Sequence, residues 1–329
     1  MPVVKLCATI CVVGLVCLTG TAQPQPPTLK ARRIFGRQYV AVSDLAQLYG
    51  FGRDLSRETE RGQYQTSFAQ LIVENERRDI VFNGVRHWLS APVVSAGGRL
   101  WISSTDVLKV IDPVLRKGRG PARRAIRTIV LDPGHGGADR GTHGRAGRYE
   151  KQLTLDLARR VKRCLETNGV RVVLTRASDR TLGLDDRVDF ARVQQGGLFV
   201  SLHFNSGGAA EGIETYCLPP AGAASTASSW SLAAGDGPQP GNRFDEQNVW
   251  LAHCVQQALV RATGAKDRGV RRARFAVLRG ASCPGILVEA GFLTNRGEEQ
   301  EILTTNYRDL LAKAVAEGIL VYKSSAEKP

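Results

Sequence analysis

From Thr128 onward, short apolar runs alternate with longer amphipathic stretches. TIVLD, VRVVLT, LFVSLHF, GIETYCL and GILVEAGFL are β-branched, apolar-rich runs of strand length. Between them, KQLTLDLARRVKRCLETN, LGLDDRVDFARVQQ and FDEQNVWLAHCVQQALVRATG repeat their apolar positions at helical spacing, and a final helix is predicted to end near Tyr322. Gly169 closes the first of these helices. Strands and helices in alternation predict an α/β domain over residues 128–323, with a mostly parallel or mixed sheet flanked by helices. In such sheets functional groups collect at the carboxyl ends of strands.

The pattern before residue 128 is different. GRQYVAVSDLAQL, from Gly36 to Leu48, and GRLWISSTDVLKV, from Gly98 to Val110, align with each other, bringing Tyr39 onto Trp101 and Asp44 onto Asp106. Each reads as a short strand, a Ser/Thr/Asp cap and a short helix. The chain between them suggests three or four strands, with Asn83-Gly84 as a hairpin turn. Residues 29–115 therefore form a small α+β accessory module with an internal duplication. The basic, Gly/Pro-punctuated stretch at 116–127 is the linker, and the Gly/Ser/Pro-rich segment 219–242 is expected to be a long mobile loop, with a helix inside AASTASSWSLAA as the alternative.

The N-terminus adds a compartment. Lys5, an apolar run from Leu6 to Leu18, and small residues up to Ala22 read as a secretory signal peptide over residues 1–22, too short for a comfortable membrane span. A retained anchor is the alternative. The expected location is outside the cytoplasm, in the periplasm or cell envelope. Cys164, Cys217, Cys254 and Cys283 remain in the mature chain, without the paired spacing of a structural zinc site; buried thiols or one disulfide are the options. The formal charge is +14, and it falls by one, to +13, with loss of the signal, whose single charge is Lys5. This favours an anionic envelope. Only 6% of residues are aromatic and no basic run is interleaved with them, so nucleic acid is not expected as a partner.

Candidate chemistry lies at the ends of the predicted strands. His135 follows TIVLD in DPGHGG, His203 lies in LFVSLHF, Glu289 lies in GILVEAGF, and Glu150 comes just before the first helix. Taken alone, His135 and His143 read equally well as turn residues, His203 as a core histidine, and His87 as a packing residue. Glu289 is harder to dismiss, because an unpartnered carboxylate buried in so apolar a strand costs several kcal/mol, of the order of that for any buried charge. Two imidazoles and a carboxylate make a three-ligand zinc set with an open fourth position, leaving a second carboxylate for proton transfer. The glycines around His135 allow a sharp turn and keep the open position clear. A phosphate loop is disfavoured, since GxxxxGK[ST] is absent.

In that order and spacing, TIVLDPGHGGADRGTHGRAGRYEKQLTLDLA, LDDRVDFARVQQGGLFVSLHFNS, GIETYCL and PGILVEAGFLTN resemble the zinc-dependent N-acetylmuramoyl-L-alanine amidases of the type-3 class, over about residues 127–322. The resemblance implies that His135, Glu150 and His203 hold Zn²⁺, that Glu289 is the catalytic acid/base, and that the substrate is the amide between N-acetylmuramic acid and L-alanine in peptidoglycan. Two departures stand out: SLHFNS puts Phe204 where the family carries a small residue, and Ala191-Arg192 replaces an alanine-asparagine pair. Arg187 is left to helix packing or a salt bridge, and Asn205 and Asn295 are weaker candidates for orienting ligands. The module at 29–115 resembles the N-terminal domain of copper amine oxidases, with one histidine and so no copper site, and it is expected to bind wall material, an envelope partner or an activator. A zinc peptidase or deacetylase, and a non-catalytic wall-binding protein, are the competing readings.

Overall fold

The computed structural model describes residues 9–10, 29–52, 60–116, 126–226 and 237–327. Most of the expected signal, most of the linker and the centre of the 219–242 segment lie outside the described residues. No helix among the described residues is long and apolar enough to cross a membrane.

The described chain divides into two units. In the first, the two duplicated segments form Arg37–Ala41 followed by helix Val42–Leu48, and Arg99–Ser103 followed by a helical turn at Ser104–Asp106. The two equivalent strands pair antiparallel, Ala41 opposite Trp101, flanked by Leu29–Ile34 and Val94–Ala96. Strands Arg61–Gln65, Gln70–Glu74 and Asp79–Phe82 form an antiparallel meander. Asn83 and Gly84 both take positive φ (49° and 77°), as a two-residue type I′ turn requires.

The second unit contains Val85–Trp88 and everything from Lys109. Its elements are β1 (Val85–Trp88), β2 (Thr128–Pro133), α1 (Glu150–Thr167), β3 (Arg171–Leu174), α2 (Leu184–Val193), β4 (Leu198–Asn205), β5 (Ile213–Cys217), α3 (Asp245–Thr263), β6 (Asp267–Arg272), α4 (Ala276–Arg279), β7 (Gly285–Phe292), α5 (Arg296–Ile302) and α6 (Thr305–Glu327). Within this unit the strands order as β3-β2-β4-β7-β5-β6-β1. The first four are parallel, β5 runs antiparallel to β7, and β6 and β1 follow the direction of β5. The α/β expectation is met as a mixed sheet.

Helices α1 and α3 pack on the sheet, and α6 packs on both of them. On the opposite face, α2 and α4 bury Ala191, Val277 and Leu278 against Val130, Phe199, Tyr216 and Leu287. Alternate strand residues such as Ile129, Leu131, Val200 and Ile286 are equally buried, which is why these strands read as continuous apolar runs. Strand β6 was not predicted: DRGVRR is charge-rich and interrupted by glycine, and only its place in the sheet makes it a strand. His87 is a buried packing residue, its Nε2 2.9 Å from Nδ1 of His253, where burial pulls the His253 pKa down to about 3. No disulfide joins Cys164, Cys217, Cys254 and Cys283 to one another. At the described ends of the 219–242 segment, Ser225 and Thr226 hydroxyls donate to Arg272 O, and residues 240–244 form a 3₁₀ turn; the helix considered within AASTASSWSLAA falls largely outside the described residues.

Candidate active site

Strands β2, β4 and β7 are parallel neighbours, so their carboxyl ends emerge on one edge of the sheet. The chain leaving β2 turns at once through Gly134, His135, Gly136 and Gly137. A Cβ at Gly134 would lie 2.2 Å from the His203 ring, and one at Gly141 would lie 2.6 Å from Glu150 Oε2, so glycine here is a condition for the cluster to close. His135 itself has φ +60°, a left-handed conformation that costs a non-glycine residue free energy and is held by its surroundings.

Two buried arginines supply that hold. Arg176 donates to Pro133 O at 3.0 Å and Gly134 O at 2.8 Å; Arg187 donates to Pro133 O and His135 O, both at 2.9 Å, and pairs with buried Asp132 at 2.7 Å. Asp132 also accepts from Thr175 and Ser201 hydroxyls. Arg187 therefore fixes the loop backbone, which satisfies its own buried charge. We expect Arg187→Met to cost about 3 kcal/mol, because it strands Asp132 as a buried charge, with the urea unfolding midpoint as the measure.

His135, Glu150 and His203 meet at the cleft floor, their ligating atoms all within 4.8 Å of one another. His135 Nε2 is 3.0 Å from Glu150 Oε2, and His203 Nδ1 is 2.9 Å from Glu150 Oε1. Glu150, the first residue of α1, is buried and also accepts from the backbone N–H of Thr142 at 3.0 Å and of Phe204 at 3.1 Å. Burial opposes its ionisation, but the two histidines outweigh that and bring its pKa down to about 2. Burial likewise opposes a charged His135, and its hydrogen bonds with Glu150 and Asp139 overcome this, lifting its pKa to about 8. Two imidazoles and a carboxylate this close together are a donor set that could hold a metal ion.

Glu289 stands directly opposite His203 in the β4–β7 register and lines the same cleft, whose volume is about 600 Å³. Its Oε2 is buried with no hydrogen-bond partner. Burial raises its pKa to about 7, against the partly offsetting pull of His203. A carboxylate at the edge of ionisation in a cleft is suited to proton transfer.

The other sequence candidates separate. His143 lies at an isolated bridge with Tyr149 and is not part of the cluster. Asn205 lines the cleft, its Nδ2 3.3 Å from Glu214 Oε2, whereas Asn295 caps α5 through Gly297 and Glu298 N–H groups and is structural. The Phe204 side chain is buried in the core, and it is its backbone N–H that reaches the site. Arg192 pairs with Asp189 on the surface. Sequence reading missed Asp139, whose Oδ2 is 2.8 Å from His135 Nδ1, and Arg176; the i, i+4 spacing of Asp139 from His135 was the available signal for the first.

A family model described as N-acetylmuramoyl-L-alanine amidase matches residues 129–321, the whole span that builds this cleft. The chain belongs to that amidase family. Amidases of this family hydrolyse an amide of peptidoglycan. The chain is similar to N-acetylmuramoyl-L-alanine amidase AmiA of Escherichia coli K12, at 30% identity over 290 residues, covering 78% of this chain and 95% of that protein. It is also 33% identical to amidase AmiC of Neisseria meningitidis, covering 66% of this chain and 57% of that protein. Among solved structures, amidase AmiC2 of Nostoc punctiforme matches with a TM-score of 0.50 and 33% identity, covering 62% of this chain and 98% of that chain. The amidase catalytic domain of CwlV from Paenibacillus polymyxa matches with a TM-score of 0.50 and 32% identity, covering 60% and 97%.

Proposed function

We propose that this amidase is an exported zinc enzyme that cuts the bond between N-acetylmuramic acid and the L-alanine of the stem peptide, with His135, Glu150 and His203 holding the ion and Glu289 moving the proton. The observation that carries the reading is the convergence of His135, Glu150 and His203 beside a buried carboxylate that no protein group satisfies. The chemistry a bound zinc ion supplies there is Lewis-acid polarisation of the scissile carbonyl and a lower pKa for water.

The chain's own residues do the rest. Glu150, held by two backbone N–H groups, keeps its carboxylate between the imidazoles. Asp139 orients His135 through its Nδ1, so that Nε2 would be the atom that meets the ion once the ion displaces its proton. Glu289 takes a proton from the attacking water and delivers it to the leaving amine, and its pKa near 7 matches both halves of that task. The charge of +13 without the signal-like N-terminus, and that N-terminus itself, support a location in the envelope, where residues 29–115 would meet wall material, an envelope partner or an activator.

Asp139→Ala should weaken zinc binding by roughly 10- to 100-fold without loss of fold, read by competition with a chromogenic chelator. The bond itself is tested by mass spectrometry of the material released from purified sacculi. Free stem peptides beginning at L-alanine, with peptide-free glycan, are expected. Glycan still carrying L-alanine would instead indicate a peptidase, and de-acetylated sugars a deacetylase.

A further inference from the structure

The cleft lining combines apolar and polar groups. Leu182, Leu184 and Phe275 are apolar, and Leu184 is 57% exposed. Asn205, also in the lining, leads to Glu214, which lies opposite Glu289 in the β5–β7 register and is buried. Both oxygens of Glu214 are used: Arg268 Nε and Arg271 Nη1 donate to Oε1, the latter at 2.7 Å, and Tyr216 Oη donates to Oε2 at 2.5 Å. Two guanidiniums on one carboxylate leave a surplus positive charge beside the catalytic glutamate.

Arg268 reaches this position through a break in the sheet. In the β5–β6 pairing, Ile213 faces Asp267 while Glu214 already faces Gly269, so Arg268 is the extra residue of a β-bulge. Regular alternation would send Arg268 and Arg271 to opposite faces; the bulge lets both reach Glu214. Gly269, at φ +94°, is required by the bulge, because a Cβ there would lie 2.7 Å from Arg86 O. Arg271 is enclosed, stacked 4.6 Å over Trp88, with its side chain 14% exposed. Arg268 packs 4.8 Å over Phe292 and stays 28% exposed, so the surplus charge meets solvent through Arg268. The nearby acid Glu211 pairs with Lys266 at 3.5 Å.

We propose that Arg268 is a specificity-determining residue that reads a carboxylate on the stem peptide, the bulge at Arg268-Gly269 being the device that aims it. The amide to be cut joins an uncharged sugar to an acidic peptide; the cleft offers apolar lining to the first, and beyond its Asn205 lining, on the far side of Glu214, Arg268 offers a cation to the second. This rests on the amidase reading above. It adds a direction to the substrate: glycan along Leu184 and Phe275, peptide towards Asn205 and Arg268.

The test compares kcat/KM for N-acetylmuramoyl-L-alanyl-γ-D-glutamyl-L-lysine with that for its counterpart carrying an α-carboxamide on the D-glutamyl residue, two substrates that differ in that one carboxylate, using the zinc-loaded mature protein. The wild type should prefer the carboxylate by roughly tenfold or more, as for a charge-assisted hydrogen bond. Arg268→Ala should abolish the preference by slowing only the carboxylate substrate, and Arg268→Lys should restore part of it. Equal loss on both substrates would assign Arg268 to supporting Glu214 and overturn the proposal, as would an unchanged preference in the variant or none in the wild type. Cleavage of neither substrate by the wild type, with sacculi also left intact, would overturn the amidase reading itself.

Discussion

Replacing Glu289 with glutamine should lower turnover by about 10³-fold while the protein stays folded and keeps its zinc, since Glu289 lies beside the ligand cluster and outside it. The substitution is nearly isosteric, and the atom it alters has no hydrogen-bond partner to lose. The expected consequence for stability is therefore the reverse of that for activity. In the zinc-free protein the Glu289 pKa is raised to about 7 from an ordinary 4.5, so the folded state favours the protonated acid. That contribution is fully present below about pH 4.5 and is lost as pH rises through 7. Glu289→Gln should accordingly be more stable than the wild type at pH 8 and close to it at pH 4.5, measured by urea midpoints in the presence of chelator. Unchanged turnover in this variant would remove Glu289 from the chemistry.

Glu150→Gln should have the second large effect, with the opposite sign on stability. Glu150 is the shared partner of both imidazoles and of two backbone N–H groups, and its pKa is depressed to about 2. Its stabilisation is fully present above the ordinary value of 4.5 and is lost as pH falls through 2. At pH 7 the zinc-free variant should therefore be less stable by roughly 3 kcal/mol, with the difference shrinking towards pH 2. Zinc binding should fall below one equivalent at micromolar metal, because an amide oxygen is a poor substitute for a carboxylate ligand. Together the two variants separate the carboxylate that holds from the carboxylate that reacts, a distinction the residues alone left open.

Most of the central sheet was legible because β2, β4 and β7 are buried on both faces and must be apolar throughout. The same property exposed Glu289: a carboxylate in GILVEAGF has no ordinary place there. Hidden from the sequence were features that depend on pairing. Strand β6 looks like a surface loop until it is seen beside β5, and the use of Arg268 arises from a one-residue shift in that pairing. Arg176 and Arg187 resemble any helix or loop arginine, and only the fold reveals that their donors meet the carbonyls of the glycine loop. Phe204, bulky where the family carries a small residue, is buried at the cleft lining, and His135, Glu150 and His203 still come together beside it.

Adding zinc stepwise to the metal-stripped mature protein while following release of stem peptides from purified sacculi tests the central claim most directly. No release is expected without metal, then a rise that saturates at one zinc per chain, with Glu289→Gln binding the same equivalent and releasing stem peptide about 10³-fold more slowly. Full release by the metal-free protein, or saturation unrelated to the occupancy of His135, Glu150 and His203, would contradict it.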